Sequence, residues 1–128
     1  MRAIKGATSV PVDSARDICA ATTELLTAML EQNALRVEQV VSLMLTATPD
    51  LRSEFPARGA RDAGWGEVPM LCAQEIDVPG ALPRCIRVLA HVDVSEEHVV
   101  RHIYLREARG LRPDLAAAHG CMRPAAPG

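Results

Sequence analysis

Five cations in this 128-residue chain, Lys5, Arg58, Arg61, Arg87 and Arg112, fall near predicted strand ends and turns, and two polar groups, Glu75 and Tyr104, interrupt apolar strands. Together they have the chemistry to hold an anion still. Arg87 is the sharpest case. It stands inside RCIRVLA, residues 84–90, among residues that suit an interior. A guanidinium cannot shed its proton, and an unpaired buried charge costs several kcal/mol, so an anion should meet it. Local pattern leaves two partners equally open, a protein carboxylate such as Glu75 or a bound ligand. The remaining residues also have ordinary readings. Glu75 fits an exposed strand end, and Cys72 a small core position. Strict alternation puts Cys72 and Glu75 on opposite faces unless the strand bulges or ends between them. Tyr104 fits a packed ring with its hydroxyl at the rim. Arg58 and Arg61, three apart, fit a solvated helix face, and Arg112 before Pro113-Asp114 fits a turn.

Most catalytic classes lose their support. The chain has no GxSxG elbow, no P-loop, no GxGxxG after a strand and no HExxH. Cys19, Cys72, Cys85 and Cys121 lie far apart without a CxxC pair, which suits reduced thiols better than a disulfide frame or a zinc site. His98 and His102 have i, i+4 spacing, but no neighbouring ligand completes a set and the segment reads as extended. No metal is expected. The net charge of -2 provides no basic field for nucleic acid, and three aromatic residues, Phe55, Trp65 and Tyr104, provide no stacking platform. No apolar run approaches the ~20 residues of a membrane span, and MRAIKGATSV lacks the apolar stretch of a signal peptide. A cytoplasmic protein with no membrane partner is expected.

The elements that must position these residues follow from periodicity. With 48% hydrophobic and 23% charged residues the chain has the composition of a folded domain. Residues 2–10 read as a strand interrupted at Gly6, where a backbone or ligand can approach closely beside Lys5. Ile18, Leu25, Leu26, Met29 and Leu30 form one helical stripe between an N-cap at Asp13 or Ser14 and a stop at Asn33. Val40–Thr48 reads as a second strand closed by Pro49-Asp50. Pro56 opens a short helix that Gly64 ends. Residues 68–76, 84–93 and 99–106 read as three further strands. The tail from 116 to 128 is small, aperiodic and rich in Pro and Gly, so it is expected to be mobile. The sum is an α+β domain over residues 1–115, with a mixed five-stranded sheet, one long helix and one short one. Strands such as RCIRVLA look apolar on both faces, so oligomerisation is the expected way to cover the face the helices leave bare.

KGATSV, TATPDL, FPARGAR, CAQEIDVPG, RCIRV, RHIYLREA and LRPDL occur in the order and spacing of a known family. In these segments the chain resembles the monofunctional chorismate mutases of the Bacillus type from about residue 2 to residue 115. The resemblance implies a homotrimer with a pseudo-α/β-barrel core and active sites in clefts between subunits. It also implies the cofactor-free rearrangement of chorismate to prephenate, a step toward phenylalanine and tyrosine. That reaction is a pericyclic [3,3] shift, which needs no nucleophile and no proton relay. A flexible dianion must be held in a chair-like conformer while fixed donors meet charge growing on the ether oxygen.

Carried over by motif, Arg87 resembles the arginine that reaches the ether oxygen and a substrate carboxylate. Glu75 resembles the carboxylate that binds the ring hydroxyl, with Cys72 beside it. Tyr104 would hydrogen-bond the side-chain carboxylate, and Arg61 would reach the pocket mouth. Phe55, Arg58, Leu111 and Arg112 would line or close the site. One position departs from the pattern. Lys5 stands where the family reads arginine, replacing a planar two-pronged fork with a compact ammonium, which implies weaker or looser binding of a substrate carboxylate. Arg58, where the family commonly has lysine, offsets part of that change in field. Two other readings compete: an imine or enamine deaminase on a related trimeric architecture, and a non-catalytic trimer that binds a small anion.

Overall fold

The structure is a computed structural model that describes residues 1–111. Arg112, Cys121 and the predicted tail therefore lie outside the described residues. Five strands form one mixed sheet in the order β3-β2-β4-β1-β5: β1 (Arg2–Ser9), β2 (Val40–Ala47), β3 (Met70–Gln74), β4 (Cys85–Val92) and β5 (Ile103–Tyr104). The two central pairings, β1 with β4 and β2 with β4, are antiparallel, and the outer two are parallel. The long helix α1 (Ala15–Gln32) and the short helix α2 (Pro56–Ala60) cover one face.

Local chemistry sets the ends of α1. The Ser14 hydroxyl accepts the Asp17 N–H at 3.1 Å, satisfying one of the first turn's free donors. At the other end the Asn33 side chain donates to the Met29 carbonyl at 2.8 Å and to the Arg101 carbonyl at 2.9 Å, and accepts the Arg101 N–H at 2.7 Å. The stop residue thus also anchors the segment that enters β5. Ile18, Leu25, Leu26 and Met29 from α1 pack against Ile4, Leu45, Ile86 and Val88 from the sheet, all nearly excluded from solvent. Gly6 faces this layer. A Cβ there would lie 2.5 Å from Met29 Sδ and 3.0 Å from Val88 Cγ2. Its close approach within the chain is therefore to helix and strand side chains of the core.

Several predicted boundaries contract. The third strand covers Met70–Gln74 instead of 68–76, the fourth Cys85–Val92, and the fifth only Ile103–Tyr104 instead of 99–106. The segment before β5 is held by side-chain anchors at Asn33 rather than by a ladder, so β propensity alone overestimates it. The short helix passes at Ala60 into a wide turn, Arg61–Trp65, and Gly64 ends it at φ +94°. β4 also differs from the reading of RCIRVLA as apolar on both faces. Ile86, Val88, Ala90 and Val92 are buried against the helices, whereas Arg87 and His91 are exposed on the opposite face.

That second face is uncovered in the single chain, and its register is simple. Lys5, Leu89, Met44 and Leu71 pair in one row across β1, β4, β2 and β3. Met44 and Leu71 are 39% and 68% exposed, so half of this row is an apolar surface open to solvent. The next row crosses all five strands as Tyr104, Ala7, Arg87, Thr46 and Ala73.

Candidate active site

Arg87 sits in the middle of that second row, on the open face, where its side chain keeps 49% of its exposure. The sequence reading of a guanidinium inside an apolar strand is corrected by the register, because every second residue of β4 points away from the core. Its anion is a protein carboxylate. Arg87 Nε donates to Glu75 Oε2 at 2.9 Å and Nη2 donates to Oε1 at 2.5 Å, a two-pronged pair. Glu75 lies one residue beyond β3, and its N–H donates to the Ala47 carbonyl at 2.9 Å, which carries the strand pairing one step further. The Thr46 hydroxyl donates to Glu75 Oε2. Hydrogen bonds from Arg87, and secondarily from Thr46, hold the Glu75 carboxyl below its usual range despite partial burial, and the same contact raises Arg87. Both groups are charged at neutral pH.

The start of β4 is clamped nearby. The Asp50 carboxylate accepts the Arg84 N–H at 2.9 Å and the Thr48 hydroxyl at 2.6 Å, and Thr48 Oγ1 accepts the Cys85 N–H at 2.9 Å. Arg84 is thereby held at φ +46°, three residues before Arg87. Sequence reasoning named neither this clamp nor Thr46. The TATPDL segment contains both hydroxyls and the Asp, but only the strand register shows what they face.

Lys5, Arg87, Tyr104 and Leu111 line one cleft of about 150 Å³ together with Gly6, Ala7 and Val88. β1 brings Lys5, β4 brings Arg87 and β5 brings Tyr104, while Leu111 ends the helical turn that follows. The Lys5 N–H donates to His102 Nδ1 at 3.0 Å, tying β1 to the residue before β5. His102 and His98 are partly buried, and no group of His, Cys, Asp or Glu among the described residues is arranged to hold a metal.

The other predicted site residues gather elsewhere. Phe55 and Cys72 line a larger cleft of about 510 Å³ with Leu51, Pro56 and Gln74. One wall is fixed by Asp13, whose carboxylate accepts the N–H groups of Arg52 and Ser53 at 3.0 and 3.1 Å. Cys72 pairs with core-facing Leu45, and Glu75 bonds Thr46 and Arg87 on the opposite face, so the two do not share a cleft within one chain. Arg58 pairs with Glu54 at 3.4 Å and Asp62 at 3.9 Å on the exposed face of α2. Arg61 follows it, also exposed. The larger cleft has the volume of a small-molecule site but lacks Arg87, and the smaller has Arg87 but too little volume.

Burial pushes the Cys85 thiol up to about 11 and raises Cys19 as well, so neither is a thiolate nucleophile at neutral pH. Among the described residues the chemistry is that of fixed charges and hydrogen-bond donors.

The sequence profile of chorismate mutase type I matches residues 1–115. The chain belongs to the chorismate mutase type I family. It is similar to chorismate mutase AroH of Thermus thermophilus, 49% identical over 121 residues that cover 92% of this chain and 98% of the relative. It is also similar to chorismate mutase AroH of Bacillus subtilis (strain 168), 44% identical over 119 residues, 91% of this chain and 93% of the relative. Among solved structures, a chorismate mutase from Clostridium thermocellum is superimposable with a TM-score of 0.81 at 42% identity, covering 87% of this chain and all of the other. The protein is accordingly a chorismate mutase, an isomerase, and the deaminase and non-catalytic readings fall away. No helix among the described residues is long and apolar enough to cross a membrane.

Proposed function

We propose that the chain converts chorismate to prephenate at a site completed by a neighbouring copy, by restraint of the dianion and electrostatic stabilisation of its ether oxygen. Arg87 and Glu75 are the catalytic residues of this reading. The two-pronged contact uses Nε and one Nη2 hydrogen of Arg87, leaving Nη1 to donate to the ether oxygen and an adjacent carboxylate. Glu75 accepts the ring hydroxyl and faces the electron-poor ring. Lys5 and Tyr104 hold carboxylates from the same cleft. As the carbon–oxygen bond breaks and the carbon–carbon bond forms, charge on the oxygen increases and a preorganised guanidinium gains strength where it is needed.

The observation that carries the intersubunit reading is the division of the site residues between two clefts. Lys5, Glu75, Arg87, Tyr104 and Leu111 lie together, and Phe55 and Cys72 line another cleft with Arg58 and Arg61 on the helix beside it. A homotrimer in cyclic arrangement brings one half from each neighbour and covers the Met44–Leu71 surface. Arg112, which lies outside the described residues, is assigned to the site by its motif alone. A cytoplasmic setting is part of this reading.

Purified protein mixed with chorismate, without cofactor, should yield prephenate far above the spontaneous rate, and sedimentation should report three chains per particle. No turnover above background overturns the reaction; a monomer with full activity overturns the shared site.

A further inference from the structure

Glu75 has four lone-pair positions, and contacts among the described residues fill three of them. Oε2 accepts both the Thr46 hydroxyl and Arg87 Nε, and Oε1 accepts Arg87 Nη2. One acceptor position remains, on Oε1. We infer that Thr46 is a positioning residue for the rearrangement: its hydroxyl saturates Oε2, so that Oε1 is the oxygen Glu75 presents to the substrate hydroxyl. This inference rests on the proposed roles of Glu75 and Arg87.

Three features make Thr46 suited to the task. It lies directly opposite Arg87 across the β2–β4 ladder, so the hydroxyl donor and the cation are set by one register. Its neighbour Ala47 accepts the Glu75 N–H, so consecutive residues of β2 fix the backbone and the side chain of the same glutamate. Its branched Cβ restricts χ1 in a strand, which keeps the hydroxyl aimed without a long flexible stem. The other acceptor in reach, the Arg87 carbonyl at 3.4 Å, is too distant to compete with a carboxylate for the single hydroxyl hydrogen. Without that hydrogen the Glu75 plane is held from the Arg87 side alone and can rotate, taking the guanidinium with it.

The same contact favours the ionised carboxylate. The charged and titratable groups near the carboxylate are Arg87 and Cys85 on β4, and Arg87 in turn shares a cleft with Lys5 on β1 and Tyr104 on β5. Only the Thr46 contact can be deleted without changing a charge.

The test compares Thr46→Val, which preserves shape and strand propensity, with Thr46→Ser, which restores the hydroxyl. The valine variant should lose about tenfold in kcat, the scale of one hydrogen bond to a charged group, with melting temperature nearly unchanged. Its acid limb should move to higher pH, and the Glu75 carboxyl carbon, followed by NMR titration without substrate, should titrate higher than in the parent. The serine variant should recover most of the rate. Should the valine variant misfold, Thr46→Ala read against serine by the same titration decides. Parent-like kcat and an unmoved Glu75 titration in the valine variant overturn the inference. An active Arg87→Ala enzyme instead overturns the roles on which it rests, a separate outcome that the NMR titration does not depend on.

Discussion

Thr46 and Arg87 are ladder partners on adjacent strands, and both reach the same oxygen of Glu75, which belongs to neither strand. The carboxylate is thus held from two directions, while an edge of the guanidinium stays open toward Lys5 and Tyr104.

The Arg87–Glu75 pair is half open to water on the arginine side, and such pairs contribute little to stability. Arg87→Ala should therefore leave the melting temperature almost unchanged while kcat falls by about 10²–10³, the scale for one lost oxyanion donor. Arg87→Lys should rescue little, because an ammonium cannot bind Glu75 with two prongs and also reach the substrate. Steady-state kinetics beside thermal melts separates the outcomes; large destabilisation with intact kcat would return Arg87 to a structural role.

In the proposed role Glu75 acts as an ionised acceptor, and Arg87 first, then Thr46, lowers its pKa in the folded state. A depressed carboxylate contributes stability above its unfolded value, and that contribution is lost as pH falls through the lower folded value. The acid limb of kcat/KM, which reports groups of the free enzyme, should therefore have its midpoint below the ordinary glutamate value of about 4.3. A midpoint above pH 5 in a pH–rate profile would contradict the assignment.

Lys5 occupies the cleft of Arg87 with a single compact charge. Lys5→Arg should raise kcat/KM several-fold, mostly through KM, since a planar fork grips a carboxylate with two hydrogen bonds. Kinetics with chorismate decides it, and no gain would mean that the backbone already places the ammonium well.

A Cβ at Gly59 would come within 2.9 Å of the Cys19 backbone and of Thr22 Cβ, so α2 lies almost in contact with α1. Backbone cannot yield as a flexible side chain can, so Gly59→Ala should destabilise by about 1–3 kcal/mol. Urea denaturation measures it. Gly64→Ala is the comparison, since there the added Cβ meets nothing and only the φ of +94° is strained.

The stripe of α1 and its caps were legible because a long amphipathic period and an N-cap hydroxyl are local signals. The bounds of β5 were not, since within the predicted strand only Ile103 and Tyr104 pair, with Gly6 and Ala7 nearly a hundred residues away. Arg87 was legible as a charge needing an anion. The choice between Glu75 and a ligand was not, because it depends on Thr46 and Arg87 meeting across β2 and β4. Alternation had already separated Cys72 from Glu75, and the structure keeps them on opposite faces. The family motif placed both in one site, and the proposed second subunit would reconcile the two statements.

Two clefts on one chain would make inactivity repairable if the proposed shared site holds. A subunit lacking Arg87 would then still lend an intact Phe55–Cys72 half to its neighbour, and a subunit damaged in that half would still lend Arg87. Mixed after dissociation and reassembled at random in equal amounts, two dead variants should recover about one quarter of the parent's working sites in a closed ring. Neither parent preparation alone can do so, and a protein whose sites lay within single chains would show no recovery at any ratio.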